Sequence, residues 1–257
     1  MKDEATELLN ILRGLDKKIV TVFLTVAVIQ TVSFYFTSRM FYRINLYDYF
    51  ASHPEEEMIE YLYWYIGDFF SLFVISAFII KFYLKENLRT YGVQPGDYKF
   101  GLKIALLFAI VMLLIIWVIS SLPSFSEQYP QLYPAKEKAG AFIVFESALL
   151  LYIFAWEFIW RGFMLFGLEE KFGYYAVFIQ MIPFVILHNG KPPLETFGAI
   201  FGGLALGILA LRTRSFYYGV IVHYSVILSI DVISALRFRV SEYGLGLNAL
   251  INILGNF

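Results

Sequence analysis

Cysteine is absent from the 257-residue chain. That removes disulfides, thiolate metal sites and cysteine nucleophiles together. Charge is scarce as well: Asp, Glu, Lys and Arg make up 16%, against roughly 25% in an ordinary soluble domain. The 20 basic and 21 acidic residues leave a net charge of −1, so there is no basic field to hold nucleic acid. No repeat and no low-complexity linker breaks the chain. What is abundant is apolar: 59% hydrophobic and 19% aromatic, with a mean hydropathy of +0.66. A chain of this length can bury a large soluble core, but not with so little polar surface left over. Disordered, collagen-like and coiled-coil classes are excluded by the same composition. The chain belongs in a bilayer.

Apolar runs of about 20 residues can cross roughly 30 Å of hydrocarbon. Such runs cover residues 19–37, 61–84, 101–122, 139–168, 174–187, 197–211 and 216–236, with the fifth and sixth short. The expectation is an all-α, polytopic membrane helix bundle of about seven spans. Residues 1–18 mix Asp3, Glu4, Glu7 and Asp16 with Leu8, Leu9, Ile11, Leu12 and Leu15 at helical spacing, which predicts an amphipathic surface helix rather than a signal peptide. Residues 245–257 are too short to span and read as a short capping or interfacial helix. One membrane domain, 1–257, accommodates all of this: N-terminal helices and loops over 1–137, a working core over 138–236, and a C-terminal segment over 237–257. Twelve loop Lys and Arg residues fall on the side of the amino terminus against seven on the other. By the positive-inside rule the amino terminus is cytoplasmic. The carboxyl end would then lie outside, where Arg237 and Arg239 argue mildly against that topology.

After residue 138 the chain changes character, because most ionisable residues at membrane depth lie there. Charges in mid-membrane cost roughly 2.5–3.5 kcal/mol on insertion scales, so each needs a reason. In Trp156-Glu157-Phe158-Ile159-Trp160-Arg161-Gly162, Glu157 and Arg161 lie four apart and share a helix face. The plain reading of that pair is a self-satisfied ion pair that orients helices. His188 ends the fifth run, before Asn189-Gly190-Lys191-Pro192, where a histidine is more often a cap than a catalyst. His223 lies inside the last span, with Asp231 two turns on. Three helices can therefore bring a carboxylate, an arginine and two imidazoles to one depth. Such a set can activate water and stabilise an oxyanion. Glu157, His188 and His223 can equally act as zinc ligands, although no HExxH pair is present. Serine- and paired-aspartate-protease motifs are also missing.

These residues resemble the CPBP family, the CAAX prenyl proteases and bacteriocin-processing (Abi) enzymes. Its pattern is EExxxRG, then FxxxH, then HxxxN, on successive membrane helices. Here Glu157, Arg161 and Gly162 match the second Glu, the Arg and the Gly of the first motif. Phe184 and His188 match the second motif, and His223 the third. Gly202 to Gly207 and Arg212-Thr213-Arg214-Ser215 add similar context, so the resemblance covers about residues 140–236. Trp156 stands where the family has its first, water-activating Glu, and Ile227 stands at the Asn position that helps hold the oxyanion. The resemblance implies an intramembrane endopeptidase that uses a glutamate-activated water and no cofactor. Glu157 would be the base, aided by His188. Arg161 would orient it, and His223, with Asn189 supplying the missing amide, would stabilise the oxyanion. Membrane lipid and a hydrophobic or lipidated protein substrate are the implied partners, in a prokaryotic plasma membrane. Glu195 and Asp231 are further candidate helpers; Glu146, eleven residues before Glu157, is too distant to replace it. The competing reading is a non-catalytic membrane binding or immunity protein that keeps the polar core for structure, and Trp156 and Ile227 favour it. A transporter is disfavoured, since no inverted repeat is seen.

Overall fold

The computed structural model describes residues 7, 10–191 and 193–255. Among these residues no strand forms, and the one β-bridge joins Asn189 to Lys191. The membrane helices are α1 (Lys17–Asn45), α2 (Glu56–Tyr83), α3 (Tyr98–Ile119) and α4 (Ala139–Phe172). They continue as α5 (Tyr175–Ile186), α6 (Pro193–Thr213) and α7 (Tyr217–Val240), with α8 (Leu247–Gly255) at the end. Among the described residues, six helices are long and apolar enough to cross a membrane. The seventh expected span, α5, has 12 residues, and at 1.5 Å each it covers only about 18 Å. The bundle thus has six full-length spans and one shorter apolar helix in fifth position. Most of the expected surface helix over 1–18 lies outside the described residues. Its boundary with the first span is clear, because Asp16 caps α1 by accepting the N–H groups of Lys18 (2.9 Å) and Ile19 (3.2 Å).

α4 is the central element and packs against α1, α2, α5, α6 and α7. Every residue from Ala155 to Leu168 is buried. That explains why its sequence shows no polar stripe: a helix covered on all sides is apolar all round. α3 instead packs on α6 and α7 and turns most of its apolar residues outward, as a lipid-facing helix should. Between helices in lipid, close packing replaces the hydrophobic drive. Phe73 of α2 meets Phe154 and Phe158 of α4 edge-on at 5.0 and 4.8 Å. Gly101 of α3 lies flat against the Tyr218 ring, where a Cβ would come within 2.5 Å.

At the other end of α3, two short helices, Pro123–Gln128 and Tyr133–Glu137, fold against α7. There Arg237 is fully buried and donates to Ser120 Oγ (2.9 Å) and to the carbonyls of Trp117 (3.2 Å), Glu242 (3.0 Å) and Gly244 (3.0 Å). This arginine is a structural clasp between α3 and α7. It is not a free loop charge, so it carries little weight in a topology count.

Candidate active site

Glu157 is the last residue of the α-helical part of α4; a π-turn, Phe158–Met164, follows it. Such turns inside α-helices occur frequently at functional sites. Glu157 Oε1 accepts from Arg161 Nη1 at 3.1 Å and from His223 Nδ1 at 2.7 Å. Both Glu157 and Arg161 are 0% exposed. Gly219, one turn before His223 on α7, makes the approach possible: a Cβ there would sit 2.7 Å from Glu157 Oε2. Arg161 also lies over the Phe184 ring of α5, with Cζ 4.0 Å from the centroid. A cation over an aromatic face is attracted by about 2 kcal/mol when desolvated. The ion pair read from sequence exists, and it is extended by a ring on one side and an imidazole on the other.

His188 sits in the turn just past α5. Its Nδ1 is 2.7 Å from Phe184 O, and its own carbonyl accepts from Thr196 Oγ1 of α6 at 2.9 Å. A carbonyl only accepts, so His188 Nδ1 carries the proton and Nε2 offers a lone pair. The same logic applies to His223, whose Nδ1 faces a carboxylate held by an arginine. Both imidazoles thus present Nε2 as an acceptor. They are also the partly exposed members of the cluster; the His223 side chain is 20% exposed. Phe184 stacks near His188 at 4.5 Å, and Trp156 faces these rings at 6.0 and 6.3 Å. Four groups here have no partner among the described residues: Glu157 Oε2, Arg161 Nε, Arg161 Nη2 and Trp156 Nε1.

The other candidates lie apart. Asn189 is exposed in the turn and donates no side-chain bond to the cluster. Glu195 pairs with Lys191 at 3.1 Å, on the same outer turn. Asp231 does not reach Glu157; it faces Glu146 between α4 and α7, both carboxyls being buried. The alternative zinc set of Glu157, His188 and His223 is not assembled, since among the described residues no three His, Asp or Glu side chains are placed to hold a metal ion. A cavity of about 610 Å³ lined by Lys18, Glu86, Tyr91, Glu169 and Arg214 touches none of the cluster. Its cations are already paired: Lys18 with Glu86 and Arg214 with Glu169.

The spacing of three motifs on α4, α5 and α7 thus converges on one carboxylate. Residues 138–228 match the family model of Rce1-like, type II CAAX prenyl endopeptidases. The match coincides with the resemblance drawn from the motifs. It runs from the start of α4 through the first half of α7, and so holds Glu157, Arg161, Phe184, His188 and His223. α1 to α3 and α8 lie outside it. No curated protein and no solved structure matches the chain. Six apolar helices and the Rce1-like segment support an integral membrane protein.

Sequence reasoning missed the roles of two residues of this segment. Gly219 is four before His223, hence on its face, and that spacing was the available signal. The role of Phe184 as the ring beneath Arg161 needed the α4–α5 crossing, which no local pattern encodes.

Proposed function

We propose that the chain is an intramembrane endopeptidase that hydrolyses a peptide bond in a membrane-associated or lipidated protein, of the class that CAAX proteases act on. One observation carries this reading: a buried Glu157 holding both Arg161 and His223 Nδ1, within the Rce1-like segment. Glu157 is 0% exposed and already takes two bonds, which favours a role through His223 over direct proton abstraction. Arg161 donates to Glu157 Oε1 and holds the carboxylate in place. The carboxylate fixes the His223 tautomer and stabilises the imidazolium that forms. His223 Nε2 takes a proton from water as the hydroxyl oxygen bonds to the carbonyl carbon and the C=O pair moves onto oxygen. On collapse that pair re-forms C=O, the C–N bond breaks, and the imidazolium returns the proton to the leaving amine. His188 Nε2 lines the same site as a second acceptor.

The test is cleavage of membrane-tethered peptides by purified protein in lipid. Wild type is expected to cleave, and Glu157→Gln and His223→Ala are each expected to abolish cleavage with the fold intact. Cleavage untouched by both substitutions would sink the site. The second reading, a non-catalytic membrane binding or immunity protein, is favoured by Trp156 standing where the family has a carboxylate. It predicts that no tethered peptide is cleaved, while the Glu157 variants lower thermal stability only.

A further inference from the structure

In the resting site both imidazoles present Nε2 as an acceptor, and the proton that His223 gains from water is committed to the leaving amine, so neither ring is a preplaced oxyanion donor. Asn189 is exposed and makes no side-chain bond to the cluster, and Ile227 has no polar atom to offer. A tetrahedral intermediate with no donor would gain nothing from the site, because stabilisation of developing charge by preplaced donors is usually the largest single contribution to such catalysis. A donor must therefore come from elsewhere in the cluster. Arg161 has spare N–H groups, but it is 0% exposed and held between Glu157 and the Phe184 ring. Trp160 Nε1 is also without a partner, yet among the described residues its ring meets the Trp156 ring and neither imidazole of the site. Trp156 differs in its place rather than in exposure, since its indole nitrogen is buried like theirs. It is adjacent in sequence to Glu157 and turns its ring to His188 at 6.3 Å, with Phe184 at 6.0 Å. Its indole N–H has no acceptor among the described residues. A buried indole N–H normally finds one, since leaving a buried donor unpaired costs roughly 1–3 kcal/mol.

We propose that the indole N–H of Trp156 is the oxyanion donor of this site, its acceptor being the carbonyl oxygen of the bound peptide. The inference rests on the hydrolase reading and deepens it. A position that would hold a base holds a pure donor, while the base is supplied from α7 by His223. Trp156 and Glu157, consecutive on α4, then face opposite walls: Trp156 meets the rings of α5 and its following turn, and Glu157 meets α7.

Two measurements test it, on full-length protein in lipid. The first compares Trp156→Phe, which keeps the ring and removes the N–H, with Trp160→Phe as the neighbouring control, on a tethered peptide that wild type cleaves. Trp156→Phe is expected to lower kcat by roughly 10²-fold or more with KM little changed, and Trp160→Phe to leave kcat within about twofold, since its N–H lies outside the site. The second needs no variant activity. The chain has 4 tryptophans, so four ¹⁵N-indole signals are expected, and the one lost in Trp156→Phe is its own. That signal should move downfield when wild type binds the trifluoromethyl ketone analogue of the same peptide, whose hydrated or adduct oxygen mimics the oxyanion. Wild type that cleaves and binds the ketone while the Trp156 signal stays still, or while Trp156→Phe keeps full kcat, overturns the donor role and leaves the hydrolase reading standing. Wild type that neither cleaves any tethered peptide nor binds its ketone overturns both.

Discussion

Two buried carboxylates at membrane depth are handled in opposite ways. In α2, Asp68 is closed: Oδ1 accepts from Thr37 Oγ1 at 2.5 Å and Oδ2 from Trp64 Nε1 at 2.9 Å. Both of its oxygens are answered by neighbours on α1 and α2. In α4, Glu157 is open: one oxygen takes two donors, the other none, and Arg161 keeps N–H groups without a partner among the described residues. Native interiors leave few polar groups without partners. An intramembrane ionisable residue is therefore only half a signal of function. The other half is whether its surroundings complete it, and around Asp68 they do.

Substitutions can break this contrast from either side. The largest effect is expected at His223: His223→Ala should cost about 10³-fold in kcat, the scale of a general base, while Asp68→Asn leaves kcat unchanged. Equal losses in a side-by-side cleavage assay would erase the distinction. Next comes Gly219→Ala. The added methyl would sit 2.7 Å from Glu157 Oε2, so the carboxylate must shift and drag the His223 ring with it. A displacement of that order costs up to about 100-fold in rate, and a fully active Gly219→Ala would mean that the Glu157–His223 bond is dispensable. Asp68→Ala sharpens the other side. It strands the Trp64 N–H and leaves the Thr37 hydroxyl only Ser33 O at 3.3 Å, which should lower unfolding stability in lipid by about 1–3 kcal/mol without touching kcat.

Much of this was legible because lipid imposes strict rules. The all-helical bundle and the order of its helices follow from apolar runs, since a spanning backbone must satisfy itself. Glu157, Arg161, His188 and His223 were legible as well, since each is a polar residue in an apolar stretch. What could not be read was how the helices turn about their axes. Asn189 follows His188 in sequence but lies on an exposed turn with no side-chain bond to the cluster. Asp231 lies eight residues after His223, far enough along α7 to meet Glu146 instead of Glu157. The shortness of α5 was legible from its run over 174–187, but the turn after it, tied by the His188 bonds to Phe184 O and Thr196 Oγ1, was not. The π-turn after Glu157 has no composition signal either.

The smallest effect is expected at Glu195, and it tests where the open region ends. Glu195 lies near the site in sequence, only seven residues past His188, and it carries a charge that a water-activating role could use. Its surroundings argue otherwise. It pairs with Lys191 at 3.1 Å, four residues earlier, with side chains 38% and 42% exposed, and Tyr129 Oη reaches it at 3.5 Å. An exposed pair at that spacing is worth about 0.3–0.5 kcal/mol. Glu195→Gln should therefore shift the melting temperature by no more than a degree or two and leave kcat within about twofold. A tenfold loss would bring the turn after α5 into the site, and the boundary between completed and uncompleted charges would move outward to include it.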